Sequence, residues 1–464
     1  MSSALQSIQL EPSSYQNGSY QDRGVDLAPH VLVLGAGLGG MAAALALRRR
    51  GWRVTVVEKE PSPWHRVGES FDWETPVLLE QLGLNLEELR GQDMLTYKPG
   101  VIVWSDTSHR WNEAWLIADP RYMRLINRNH MTYHGNRHRL DHHLSEMIQS
   151  EGCCLLTRRV RKVHMQGQSV EKIELEGGEQ LRAPFYIDAS GRARLIMRSA
   201  GIRYTAQGEK MVSLWRRHHH HYDGKGTRLY LVDVGEEMFW TWNIHVGAET
   251  TDIGMVLPAT LYRSLANGGP EGNGRQDTKE ADDIYWKLLE KVELLNEFAD
   301  QSLTAGPLQV CSFQNTMAER AAGDNWLAVG EAAYVIDPIS SGGTTLALRS
   351  GKFAANILDE ALSEGQPHLR KSNLRFYHQR LTIQVRFVNG ALDDLFRFRK
   401  LGYRIGMPIY VRLLTWPQFH INLFSSNFQL RSRFGLAFLR LLRAILGDGV
   451  RGFLYVLRTV YRAS

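Results

Sequence analysis

Apolar and polar positions follow three different rhythms along this chain. From His30 to Lys59, HVLVLGAGLGGMAAALALRRRGWRVTVVEK, an unbroken apolar run leads through a glycine turn into helical spacing and then a second apolar run that ends in an acid. Continuous apolar runs mark strands covered on both faces, so this stretch predicts a parallel βαβ unit. Phe185–Arg192, FYIDASGR, and Asn325–Gly351 carry the same strand-then-turn pattern, the second passing into a helix. The rhythm changes between about 205 and 260. There SLWRRHHHH, TRLYLVDV, MFWTWNIHV and TDIGMVL alternate as antiparallel strands and predict a second sheet able to wall off a cavity. Val67–Leu82 predicts a turn entering a helix, Thr96–Trp104 a strand, and Arg137–Met147 a helix with Leu140, Leu144 and Met147 on one face. Asn267–Gly274 reads as a surface loop, and the chain beyond about 366 as helical.

The fold class expected is therefore α/β: a Rossmann-type domain, a mixed β-sheet substrate domain and a helical C-terminal region. Its divisions are a disordered tail over 1–28, a discontinuous nucleotide domain over 29–200 and 305–365, a substrate-domain sheet over 201–304, and helices over 366–464. Strands near 96–135 are expected to interleave with the substrate domain.

The glycine turn carries the first chemistry. Gly35, Gly37 and Gly40 stand at G-x-G-x-x-G spacing, which serves a tight turn, close approach of backbone to a pyrophosphate, and close packing of helix on strand. Glu58 closes the second strand where a carboxylate meets a ribose hydroxyl. With strand, helix and acid all in place, a dinucleotide site is predicted. Gly447, Gly449 and Gly452 repeat the spacing after a basic helix with no strand before it, and read as a helix stop.

Composition narrows the classes. Of 464 residues, 43% are hydrophobic and 22% charged, as in an ordinary globular protein of two associated domains. Three cysteines, two of them adjacent (Cys153, Cys154 and Cys311), predict no disulfide framework and a reducing, cytoplasmic setting. The first residues lack a signal-peptide pattern, and no apolar run is long enough to span a membrane. A net charge of +6, spread over the chain, argues against nucleic acid. His130, His134, His138 and His142 recur every four residues and His218–His221 are consecutive. The first set crosses Gly135 and a strand-to-helix change, and neither set has a matching carboxylate or cysteine, so no metal site is expected.

FYIDASGR, with Asp188, and the segment from Asp324 to Gly351, with Asp337, resemble the second and third FAD signatures of the flavin-dependent monooxygenase, halogenase and geranylgeranyl-reductase superfamily. The resemblance implies a glutathione-reductase-like FAD domain. It places Asp337 near the ribityl and phosphate region and the loop through Ser341, Gly342, Gly343 and Thr344 near the flavin ring. Arg137 matches an arginine that lies along the cofactor. Glu331 stands where the family usually has aspartate.

Within that superfamily, GESFDWETP resembles the G-E-S/A segment of flavin-dependent halogenases, and Lys98 in YKPG falls where they carry their lysine. Trp240, Trp242 and Ile244 resemble their W-x-W-x-I-P motif, with His245 in place of proline. What this implies is FADH2-dependent halogenation of an electron-rich aromatic or enolic substrate, free or carrier-bound, through a flavin hydroperoxide. Ser341 to Thr344 then hold halide and flavin, Lys98 directs the halogenating species, and the tryptophans and His245 line the substrate tunnel. Ser340 stands where halogenases of free tryptophan carry glutamate, which points to other substrates. With no second nucleotide fingerprint, a separate flavin reductase is expected as partner.

The bland readings are a surface lysine on an edge strand and plain core packing for the tryptophans. Other functions open on this scaffold are a monooxygenase or dehydrogenase, including one that hydroxylates a partner protein's side chain, a geranylgeranyl-reductase-like enzyme, and a non-enzymatic flavin-binding assembly protein. Arg431–Arg443 is amphipathic with arginines on one side. It is a candidate for contact with a membrane surface or an acidic carrier, and its alternative is packing on its own chain.

Overall fold

The structure is a computed structural model that describes residues 30–397 apart from 63–65, 73, 108–109, 117–131, 222, 225 and 267–277. The tail over 1–28, the glycines at 447–452 and the basic stretch Arg431–Arg443 lie outside the described residues.

Two sheets organise the chain. A six-stranded sheet has the order Ala322–Gly323, Trp326–Ala328, Phe185–Asp188, Val31–Leu34, Val54–Glu58, Cys154–Thr157, parallel except at the first pair. Its three central strands are buried at every position, as their continuous apolar runs require. Leu38–Arg48 packs on it beside the long helix Gly343–Ser363. These two helices touch where Gly39 meets Ala347 and Gly351 meets the Gly39 backbone, approaches that leave no room for a side chain.

The eight-stranded sheet has the order Tyr334–Val335, Gln309–Ala318, Tyr204–His219, Thr250–Pro258, Glu237–His245, Thr227–Val234, Val101–Thr107, Arg110–Leu116. One face is closed by a core of Val212, Leu214, Tyr230, Phe239, Ile253 and Met255 under the helix Thr278–Leu289. The alternate positions Trp240, Trp242, Leu229, Leu231 and Val256 are buried, yet join neither of the two main hydrophobic clusters. That arrangement sets them on the opposite face.

Two sequence expectations change here. The strand expected over Thr96–Trp104 is two strands, Leu95–Lys98 and Val101–Thr107, which belong to different sheets. Pro99 has no N–H for a ladder, and Gly226 presses so closely on Gly100 that only glycine fits there. Leu95–Lys98 pairs instead with Thr132–Gly135, Lys98 opposite Thr132. The strand Gln309–Ala318, expected in the nucleotide domain, pairs with Tyr204–His219 in the larger sheet. Helical structure beyond 366 is described as Lys371–Arg397. No described helix is long and apolar enough to cross a membrane.

Candidate active site

The three glycines divide their labour as their spacing suggests. Gly35 has φ +109 and sits against the Ala189 carbonyl, so a side chain there would both clash and be strained. A Cβ on Gly40 would strike the Gly35 carbonyl, which fixes the helix against its strand. At Gly37 the only heavy atom among the described residues near the Cβ position is Arg66 Nη1, 3.9 Å away. The middle glycine therefore faces open space at a helix N-terminus, the place a pyrophosphate takes. The residues fit the dinucleotide they were expected to hold.

Glu58 is buried. It accepts the Ala36 N–H (2.9 Å) and a bond from Arg66 (3.0 Å), while Arg66 also donates to the Ala36 carbonyl (2.6 Å). Arg66 brings a positive charge to the glycine loop, and no motif flagged it. Arg137 holds Asp141 by two bonds of 2.8 Å and donates to the Val67 carbonyl (2.7 Å). It thereby pins the turn before Gly68, whose Cβ position would lie 2.7 Å from its Nη1.

Asp188, expected at the cofactor, is used by the fold itself. Fully buried, it accepts bonds from the Ser190 hydroxyl (2.5 Å) and from the N–H groups of Ile196 (2.8 Å) and Met197 (3.0 Å). Through these it shapes the turn whose Ala189 backbone abuts Gly35. Asp337 is buried and caps the short turn Pro338–Ser340 through the Ile339 N–H (3.0 Å). Ser341 follows in the left-handed conformation, φ 54, and Gly342 and Gly343 open the long helix.

This loop is stitched to the segment after Gly68. Ser341 Oγ donates to Ser70 Oγ (2.9 Å), Thr344 Oγ1 to the Gly68 carbonyl (3.4 Å), and Thr345 bonds both Asp72 and Thr75. Lys98 arrives at the same place from its own strand. It is 3% exposed, and its Nζ donates to Ser70 Oγ (2.8 Å) and to the Phe71 carbonyl (2.7 Å). The surface-lysine reading is thus excluded. Burial pushes the Lys98 amine down to about 8, against the pull of the Asp72 carboxylate. Burial and the Asp252 charge push the neighbouring Glu69 up to about 7.

Trp240 and Trp242 pack against each other with centroids 5.5 Å apart, and Trp242 lies over Gly254, where a side chain would collide with its ring. Both indole N–H groups are buried with no hydrogen-bond partner among the described residues. His245, expected beside the tryptophans in one tunnel wall, ends the same strand on its other face, since it lies an odd number of residues from both and packs by His220. It is buried, with Nε2 3.4 Å from Asp223. Burial and the Arg228 charge hold it down to about 3. His134 was noticed only as one of a periodic set. It is fully buried, its Nε2 lies 2.8 Å from Thr227 Oγ1, and Thr227 Oγ1 lies 3.1 Å from Ser70 Oγ. Thr227 was not singled out from sequence and Ser70 only as the serine of the G-E-S segment, because nothing local marks a hydroxyl that bridges distant segments. No cluster of metal-ligating side chains occurs among the described residues.

Comparison with known proteins agrees with this geometry. A model of the tryptophan halogenase family matches residues 116–386, and one of an FAD binding domain matches 30–64. Tryptophan 2-halogenase of Chondromyces crocatus is 25% identical over 353 residues, 70% of this chain and 60% of its own length. The 1H-pyrrole-2-carbonyl-[peptidyl-carrier protein] chlorinase of Pseudomonas fluorescens is 21% identical over 85% of this chain and 87% of its own. The solved flavin-dependent brominase Bmp2 shares the fold with a TM-score of 0.70 at 18% identity, over 94% of this chain and 99% of that one. FAD is the cofactor, and the chain is an enzyme of the flavin oxidoreductase type. With more than half its length matched by one family model, this chain belongs to the tryptophan halogenase family.

Proposed function

We propose that the protein is an FADH2-dependent halogenase of an electron-rich aromatic or enolic substrate, with Lys98 as the residue that directs the oxidised halogen. The observation that carries this reading is the burial of Lys98 on Ser70, whose hydroxyl oxygen also accepts from Ser341 of the flavin loop. Reduced FAD supplies activation of O2 and, with halide, a hypohalous acid. The chain's own groups do the rest. The open face of Gly37 receives the pyrophosphate, and the Ser341 to Thr344 turn positions flavin and halide.

Two of the Lys98 hydrogens are committed to Ser70 and Phe71, so an ammonium has one more to offer. Donated to the hypohalous oxygen, that hydrogen polarises the O–halogen bond toward the substrate carbon. With its amine near 8, Lys98 is about nine-tenths ammonium at pH 7 and can still exchange a proton there.

Three side chains support a substrate class. Ser340 bonds within its own turn, to the Asp337 carbonyl (3.2 Å) and the Gly342 N–H (3.3 Å), and supplies no carboxylate for an indole N–H. The unpartnered indole donors of Trp240 and Trp242 suit a substrate bearing acceptor oxygen, such as a phenol or a carrier-bound acyl ring. Carrier-bound substrates also fit the named activity of the Pseudomonas relative. Reduced flavin comes from a separate cytoplasmic reductase, since the sequence offers no second nucleotide fingerprint.

Incubation with reduced FAD, O2, bromide and a phenol, read by mass spectrometry, tests the proposal. Bromine gain supports it. Oxygen gain establishes the monooxygenase on the same scaffold, and loss of two hydrogens the dehydrogenase. Rapid, saturable reduction of the bound flavin by NADPH alone would contradict the need for a reductase.

A further inference from the structure

Lys98 brings a charge that its two hydrogen-bond partners do not answer: one is the Ser70 hydroxyl, the other the Phe71 carbonyl. The next residue along is Asp72. Its backbone is fixed beside the lysine, because the stretch from Ser70 to Asp72 lies along Thr132–Gly135, the strand paired with that of Lys98. The Phe71 N–H donates to the Tyr133 carbonyl (3.1 Å), and Thr132 Oγ1 donates to the Asp72 carbonyl (2.7 Å).

The Asp72 side chain is fixed as well. Its Oδ1 accepts the N–H groups of Glu74 and Thr75 (3.0 Å each), as an aspartate does where a helix begins. The same oxygen accepts the Thr345 hydroxyl, which stands in the first turn of Gly343–Ser363, and that bond joins the surroundings of the lysine to the helix that follows the flavin turn. Burial pushes the Asp72 carboxyl above its ordinary value, and the bonds from Thr345 and Thr75 draw it back toward the ionised form.

The nearby charges sort into pairs. Lys98 and Arg349 are the cations that face Asp72, and Arg349 gives its Nε and Nη2 to Glu74. Facing Lys98 are Asp72 and His134, and burial keeps the histidine neutral. The Asp72 carboxylate is therefore the charge left for the lysine. It acts through space, since no hydrogen bond joins the two side chains among the described residues.

We propose that Asp72 is the positioning residue of Lys98, a fixed counter-charge that holds the amine as an ammonium at the flavin turn. This role rests on the one proposed for Lys98 and acts through that lysine. Burial pushes the Lys98 amine down to about 8, and the Asp72 charge is what stops it from going lower. Without that charge the amine loses its proton at a lower pH, and the ammonium fraction at pH 7 falls.

Asp72→Asn tests this, because it keeps an accepting oxygen for the three donors and removes the charge. In FAD-bound protein labelled with 15N-lysine, without halide or substrate, NMR follows the Lys98 Nζ signal against pH. The signal is identified by its loss in Lys98→Arg. In Asp72→Asn its titration should move down by about one unit, and in turnover halogenated product per flavin oxidised should begin to fall about one unit earlier. A merely structural role would lower FAD occupancy or Tm and leave both pH profiles in place.

An unmoved Lys98 titration in FAD-bound Asp72→Asn overturns the proposal. If that variant fails to bind FAD, the wild type decides: with Asp72 labelled at its carboxyl carbon, the Lys98 signal should take a second, smaller step at the pH where Asp72 protonates, and the absence of a shared step overturns the pairing. A moved titration in a protein that halogenates nothing would keep Asp72 as the counter-charge and sink the halogenase reading. An unmoved titration beside normal bromination by the wild type would do the reverse.

Discussion

The two ends of the site are built from different material. The nucleotide end is backbone: three glycines, a helix N-terminus and the Ala189 turn, with Glu58 and Arg66 bracing the loop from the side. The end around Lys98, the proposed halogen end, is side chain. Lys98, Ser70, Ser341, Thr227 and His134 come from five segments, joined by side-chain bonds of 2.8 to 3.1 Å and by backbone pairing of His134 with Ser70 and of its strand with that of Lys98. A backbone site fails by steric exclusion, all at once; a side-chain site fails by degrees, through lost geometry or the wrong protonation state.

Within the nucleotide end the comparison sharpens further, because two glycines of one motif should fail differently. Gly40→Val puts a side chain into the Gly35 carbonyl and the Ala189 methyl, inside the central sheet, and soluble folded protein should be lost. Among the described residues a Cβ at Gly37 meets only Arg66, at 3.9 Å, so the Gly37→Val apoprotein should fold with wild-type circular dichroism and bind no flavin. Full flavin occupancy in Gly37→Val would break the assignment of the cradle.

At the halogen end, Lys98→Ala should keep FAD and still oxidise reduced flavin, while halogenated product falls about 100-fold or more and peroxide accumulates. Lys98→Arg should fail as well: its charge is kept, but guanidinium does not give up a proton near neutral pH and its planar fork does not match the Ser70 and Phe71 acceptors. Near-normal product from either variant would return the site to the oxygenase reading.

A smaller effect follows from the lysine's titration. In the proposed mechanism the working form is the ammonium, whose third hydrogen the amine lacks. Because burial brings the group down to about 8, product per flavin oxidised should be flat below pH 7 and fall as pH rises through about 8. Flavin oxidation alone, a property of the backbone-built end, should show no limb there. A yield that rises through the same range would make the free amine the working form.

The same contrast explains what could be read from sequence. The βαβ unit was legible because buried parallel strands, glycine spacing and a terminal acid are local in the chain, and so was the alternation of Glu237–His245. Asp188 was legible as a residue that matters, but not as a cap: its partners Ile196 and Met197 lie in a short helix whose start, with Arg194 in the left-handed conformation, has no composition signal. The break at Pro99 and Gly100 was missed because alternation continues across it, and only the approach of Gly226 shows why the chain changes sheets. Ser70, Thr227 and His134 left no trace of their meeting, since a hydrogen-bonded chain between distant segments has no spacing.

The subtlest test of the contrast lies at Trp240, proposed above as part of a substrate tunnel. Its indole N–H has no partner among the described residues, so its removal strands nothing in the resting protein. Trp240→Phe should lower stability by only about 1–2 kcal/mol, the cost of lost volume in a buried position, read as a few degrees in Tm. FAD binding and flavin oxidation should be unchanged. If the indole donates to an acceptor oxygen on the substrate, one hydrogen bond worth about 1 kcal/mol is lost on binding, and KM for the true substrate rises about fivefold with halogen yield at saturation preserved. An unaltered KM would make Trp240 a packing residue of the wall, and the acceptor-oxygen requirement would then rest on Trp242 alone.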